Sequence, residues 1–335
     1  MLKTRTLSLA ALAVAAVALP ALANDSTAEL AAGGLVLKQD ANIEMRSEDL
    51  YISPKAVRVT YRFRNTSAAP VTVLVAFPMP DITIEGIDDM ISIPTEDPQN
   101  ILGFKTKVDG KPVVAKVEQK AISLKDGSDQ TALLKSLGVP IAPHLQATRD
   151  IVDHLPPAAQ KKLLDLDLAV PDEYDAGKGW EKHLAPRWTL KTTYYWQQTF
   201  PAGRDVVVEH RYIPSVGASA GTSVGSPYQD AETKAFYARY CMDKSFMAAA
   251  MKSKPKDQEF LPLMEQRIDY VLKTGGNWKK PIGSFRMVID KEKPSNLISF
   301  CADGVKKISA TQFEVRKTNW RPDRDLNILI LTKGE

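Results

Sequence analysis

Apolar Val57, Val59, Tyr61 and Phe63 alternate with Arg58, Thr60, Arg62 and Arg64. A period of two gives a strand one buried face and one wet face. Residues 65–70, NTSAAP, supply turn formers and a strand stop. Val71, Val73, Val75 and Phe77 then resume the alternation until Pro78 and Pro80 end it. The pattern predicts an antiparallel hairpin with one buried face, the unit from which a β-sandwich is built.

The same reading extends along the chain. Ser26 and Glu29 form an S-x-x-E capping box, which predicts a short helix closed by Gly33-Gly34. Residues 35–38 and 43–46 read as short strands, with a turn at Ser47-Glu48-Asp49. Ile82 and Ile84 alternate with polar residues ahead of an acidic turn at Asp88-Asp89. Phe104, Thr106 and Val108 precede Asp109-Gly110, a two-residue hairpin signal, and Val113, Ala115 and Val117 supply the return strand. Helical spacing replaces alternation over 130–137, 146–154 and 157–168, so residues 119–180 are expected to form a helical insertion or lid. Trp188, Leu190, Thr192, Tyr194, Trp196 and Phe200 then share one strand face. Val206, Val208, His210 and Tyr212 share a face of the next strand, and the tight loop between predicts neighbours in one sheet.

Residues 215–226, SVGASAGTSVGS, read as a flexible linker. Helices are expected over 230–240 and 245–251, and strands over 268–272, 285–289, 313–316 and 326–331. The final LNILIL run suits a strand buried on both faces. The expected fold is mainly β with helical insertions (α+β) and an antiparallel β-sandwich architecture. Its expected organisation is a signal peptide over 1–23, a sandwich over 24–214, a linker over 215–228 and a smaller α+β lobe over 229–335.

The N-terminal segment changes the picture from fold to address. Lys3 and Arg5 precede an apolar run over 7–19, Pro20 breaks it, and Ala21-Leu22-Ala23 gives a small-x-small cleavage pattern. Cleavage after Ala23 would leave Asn24 as the mature N-terminus; an uncleaved N-terminal helix is the other reading. No later run has the apolar length of a membrane-spanning helix. The expected protein is exported, soluble and periplasmic. The net charge of +4 falls to about +2 without Lys3 and Arg5, which gives no electrostatic case for nucleic acid. Cys241 and Cys301, an even count in an exported chain, favour a disulfide over a zinc pair lacking nearby His. The loop it closes is worth roughly 4 kcal/mol in the chain-entropy account.

His210 is the candidate for chemistry, with Asp205, Glu209 and Ser215 near it in sequence. Glu209 points to the opposite strand face and no G-x-S-x-G elbow is present, so a structural histidine is the alternative. His144, His154 and His183 lack the spacing of a metal pair. The acidic residues Asp165, Asp167, Asp172, Glu173 and Asp175 lack a calcium-loop pattern and read as a solvated face. The glycine-rich stretch carries no phosphate-loop motif. Tyr195, facing away from Tyr194 and Trp196, is either part of a glycan or peptide platform or packed under the insertion. No cofactor is expected.

Several segments together resemble the exported bacterial family known as domain of unknown function (DUF) 4424. They are NDSTAEL with Gly33-Gly34-Leu35, IEMRSEDLYIS, the V-x-Y-x-F-x-N strand with FPMPD, FPAG, HRYIPSVG, SFCADG and PDRDLNILIL. The resemblance implies a secreted, β-rich protein and brings no activity, cofactor or catalytic residue. Residues 55–121 are also similar, as architecture, to the vault/inter-α-trypsin type of sandwich, an interaction module. The function expected is a non-catalytic periplasmic module that binds an envelope protein or small ligand. An exported hydrolase with a site near His210 and a structural envelope component are the alternatives.

Overall fold

A computed structural model describes residues 25–333 except 32–33, 39–40, 87–89, 176, 178 and 229. The cleavage point between Ala23 and Asn24 and the turn at Asp88-Asp89 lie outside the described residues. Ten strands come first: β1 (Ser26–Ala31), β2 (Gly34–Lys38), β3 (Ile43–Ser53), β4 (Ala56–Asn65), β5 (Val71–Pro78), β6 (Ile82–Ile84), β7 (Ile91–Ser92), β8 (Lys105–Val108), β9 (Lys111–Val113) and β10 (Lys116–Ile122). Helices α1 (Thr131–Ser136), α2 (Gln146–Asp153) and α3 (Pro157–Asp165) follow. Strands β11 (Ala169–Asp175), β12 (Trp180–Pro186), β13 (Trp188–Phe200), β14 (Asp205–Tyr212) and β15 (Val216–Ser219) lead to helices α4 (Ala231–Arg239) and α5 (Lys244–Met251). The chain closes with β16 (Leu263–Tyr270), β17 (Ile282–Asp290), β18 (Leu297–Phe300), β19 (Lys306–Lys307), β20 (Gln312–Trp320) and β21 (Leu326–Lys333).

The strands make a β-rich sandwich. An eight-stranded sheet runs β19-β20-β17-β3-β4-β14-β8-β9. Facing it are a six-stranded sheet, β10-β13-β5-β1-β2 with β6 beside β13, and a five-stranded sheet, β18-β21-β16-β15-β7. The core lies between these layers: Phe63 of β4 meets Phe200 of β13, and Tyr61 of β4 meets Tyr270 of β16. Each such fully buried aromatic contributes roughly 1.5–3 kcal/mol by leaving water.

The expected opening hairpin is an arch. β4 pairs with β3 and β14 in the large sheet, whereas β5 pairs with β1 and β13 in the facing one. β13 and β14 are likewise split between facing sheets, not neighbours in one. In both cases the connection crosses the sandwich, so two apolar rows face each other instead of lying side by side. Asn65 fastens the two crossings together. Its Nδ2 donates to Ala69 O and Phe200 O, both at 2.8 Å, and its Oδ1 accepts from the backbone N–H of Ser67 at 2.9 Å.

Four further expectations change. The capping box over Ser26–Glu29 is inside strand β1; Thr27 Oγ1 donates to Lys38 O at 2.7 Å, and pairing with β2 and β5 overrides the local helix signal. The turn at Ser47-Glu48-Asp49 is part of continuous β3, with a register irregularity between Met45 and Ser47. There Gly283 of β17 passes so close that an added Cβ would sit 2.6 Å from Arg46 O. The insertion over 119–180 contains the three helices, but it starts in β10 and ends in the β11–β12 hairpin. Finally, the stretch over 215–228 holds β15, paired with β16 and β7, and buries Val224. The C-terminal strands β17 and β20 complete the large sheet, β17 running parallel to β3.

Other expectations match. Asp109 and Gly110 have φ of 48° and 76°, the left-handed pair that a two-residue turn requires. In β21, Ile328 and Ile330 enter the main core while Leu329 and Leu331 join a second cluster with Tyr240, Phe246 and Ala250 of the α4–α5 segment. That strand is buried on both faces, and Asp230 and Asp243 cap the helices that cover it.

Candidate functional site

His210 lies on the inner face of β14 and its side chain is 0% exposed. The sequence neighbours do not join it. Asp205 pairs with Arg64 at 3.0 Å, Glu209 faces solvent, and Ser215 lies beyond the end of β14. Its partners come from distant segments: Nε2 is 3.0 Å from Asp25 Oδ1, and Nδ1 hydrogen-bonds Thr106 Oγ1 of β8. The alternation of β8 and β14 carries Thr106 and His210 to the same face, in direct register. Asp25 is held ahead of β1 by its main chain, whose carbonyl accepts from Trp278 Nε1 at 2.6 Å.

Carboxylate, imidazole and hydroxyl thus stand in the order used for nucleophilic catalysis. Chemistry would also need space beside the hydroxyl for a reacting atom. Here Phe77, Phe104, Trp196 and Tyr61 enclose the imidazole, with ring centroids 4.7–5.7 Å away. Burial pushes the Asp25 carboxyl above the ordinary range, and His210 opposes that rise. The array is a sealed polar knot in an aromatic core. Neither Asp25 nor Thr106 was legible as a partner, because nothing in the local sequence links positions so far apart.

The other histidines remain separate. His183 Nδ1 is 2.7 Å from Asp153 Oδ2, which ties β12 to α2 and raises the imidazole pKa. His154 sits on the surface, bonded to Asp150 O, and His144 is half-buried, its pKa lowered by desolvation. Among the described residues no three metal-ligating side chains converge. The acidic run is dispersed: Asp165 pairs with Lys161, Asp167 with Arg187, Glu173 with Lys182, and Asp175 accepts from Gly177 and Gly179 N–H. Tyr195 is half-buried opposite Ala76 and Lys116.

The open site lies elsewhere. A cleft of about 1010 Å³ separates β17 and β20 of the large sheet from β18 and β21 of the five-stranded one. Phe285, Met287 and Val315 form its deep wall, and Trp320 packs on Phe285 with centroids 4.6 Å apart. Half-buried Phe300 and Phe313 stand at opposite sides, with Lys307 and Lys317 on the inward positions of β19 and β20. The lip is fastened by the Cys241–Cys301 disulfide, which links the α4–α5 turn to the end of β18. Both cysteines were legible in sequence; the cleft was not, since its walls come from different sheets.

Three comparisons bear on the chain. No curated protein matches it. A solved Legionella pneumophila structure, described as "a putative nutrient binding protein", is similar at a TM-score of 0.44 and 17% identity, over 92% of this chain and 70% of that one. At that level no ligand is carried over. The family model for the domain of unknown function DUF4424 matches residues 23–329. With that match spanning the sandwich, the disulfide and the first half of β21, the chain belongs to the DUF4424 family.

Proposed function

We propose that this is an exported, non-catalytic module of the cell envelope that holds a ligand or a segment of a partner in the cleft between β17–β20 and β18–β21. The observation that carries this reading is the cleft: apolar walls, half-exposed aromatics and a charged rim in one concavity of about 1010 Å³. Such a combination gives binding energy from apolar contact and orientation from a few polar groups. Asp25, Thr106 and His210, by contrast, do not line this cleft, and aromatic rings enclose the imidazole. Export supplies the oxidising compartment in which the lip disulfide persists.

The test is gentle purification from the native host with mass spectrometry of the mature N-terminus and of co-eluting species. The expected result is a chain starting at Asn24 with a bound molecule or partner that Phe300→Asp releases. A bare chain, with Trp320 emission unchanged by periplasmic extract, would overturn the binding reading. A chain still carrying residues 1–23 would overturn the exported, cleaved form.

A further inference from the structure

A second surface, on the outer face of the large sheet, is independent of the cleft. β4 and β14 pair so that Arg58 is opposite Arg211, and β14 and β8 pair so that Arg211 is opposite Lys105. All three are exposed, because their strand neighbours Val57, Val59, Tyr212, His210, Phe104 and Thr106 take the buried face. Three cations therefore stand in one cross-strand row, at about 4.8 Å per strand and about 10 Å end to end. Like charges directly opposite each other in a sheet repel. No carboxylate of the described residues is within ion-pair reach of Arg58, Arg211 or Lys105; Glu209, one row on, is opposite Lys107.

Much of the rest of this face carries paired charges. Arg62 and Arg64 share Asp205, and Arg286 is held by Asp49 and Glu314, which also takes Arg316. The positive strip is consequently narrow. One end is also fixed: the Arg58 guanidinium lies 4.2 Å over the Tyr51 ring, and Tyr51 donates its hydroxyl to Asp290 Oδ2 at 3.2 Å. Stacking positions the guanidinium while leaving its N–H fork unpaired, the arrangement that suits bidentate recognition of phosphate.

We infer that the Arg58–Arg211–Lys105 row is a binding site for a small ligand bearing two or more adjacent phosphate groups. Phosphates laid across the strands turn the cation–cation repulsion into three charge-assisted contacts. A strip one row wide, bounded by paired charges, fits a compact anion and not an extended membrane surface.

The probe is sodium tripolyphosphate, titrated calorimetrically into the mature protein at low ionic strength, with thermal unfolding followed in parallel. Saturable binding that weakens as salt rises is expected. Arg211→Glu should weaken it roughly 10- to 100-fold, the loss of a charge-assisted contact. The same variant places a carboxylate between Arg58 and Lys105, so its melting temperature should hold or rise, which separates lost binding from lost folding. Arg211→Lys should retain most of the affinity. No heat with the wild type, equal affinity in Arg211→Glu, or binding only to anionic phospholipid vesicles would each overturn the assignment.

Discussion

The knot at His210 and the cleft behind the disulfide contain similar ingredients, aromatics with a few charged or polar groups, and differ in access to water. At His210 both imidazole nitrogens have partners. Asp25 takes Nε2 and Thr106 takes Nδ1, and four rings exclude solvent. In the cleft, Lys307 and Lys317 occupy inward positions of their strands without a carboxylate partner among the described residues, while Phe300 and Phe313 remain half-exposed. A closed network specifies packing, whereas an open concavity with unspent contacts specifies a partner. Chemical composition alone would have ranked the two the other way, since the knot has the more suggestive residues.

The largest effect should come from breaking the knot on one side only. His210→Leu leaves Asp25 buried without its imidazole, and urea unfolding should show a loss of about 3–5 kcal/mol. The pH dependence sharpens the point. Burial holds the native Asp25 carboxyl above its unfolded value, so the native state binds that proton more tightly. Its contribution is complete below the unfolded carboxylate range, near pH 3.9, and is lost as pH rises through the raised native value. Asp25→Asn should flatten that part of the stability–pH curve; an unchanged curve would mean the carboxyl is not held as described.

Removing the cleft's fastening should rank next. Cys241→Ser with Cys301→Ser frees a 60-residue loop and should cost up to about 4 kcal/mol, read as a lower melting temperature that matches the reduced wild type. A smaller loss tests how the arches hold together. Asn65→Ala removes a donor to Phe200 O and one of the two side-chain donors to Ala69 O, and should cost about 1–3 kcal/mol. The smallest stability change belongs to the cleft itself: Phe300→Ser removes a half-buried ring and should cost about 1 kcal/mol. Its effect should appear in ligand retention instead. If Phe300→Ser destabilised as strongly as His210→Leu, the contrast between closed knot and open cleft would fail.

Much of the fold was legible. Alternation located β4, β5, β13 and β14, and assigned Tyr61, Phe77, Trp196 and His210 to buried faces. The helical stretches expected over 230–240 and 245–251 correspond to α4 and α5, and the cysteine pair located the disulfide. The failures share a cause. The Ser26–Glu29 box is a valid local helix start, but in the folded chain Thr27 and Ala28 pair between β2 and β5, and tertiary pairing outweighs a cap worth about 1 kcal/mol. Of the candidate sites, His210 was found and its partners were not; neither the cleft nor the cation row was found.

The sequence by itself determined which side chains of each strand turn inward, because a period of two divides a strand into faces wherever that strand is placed. It could not determine which sheet a strand joins. An inward-facing Val75 is equally satisfied beside Val59 or across from it, since apolar burial has no direction. Tertiary structure made that choice: it set β4 against β5 and β14 against β13, brought Asp25 and Thr106 to His210, aligned Arg58 with Arg211 and Lys105, and left a cleft where two sheets part. Each of these depends on pairing between segments far apart in the chain, and hydrogen-bonded register between distant strands is a property of the assembled sheets.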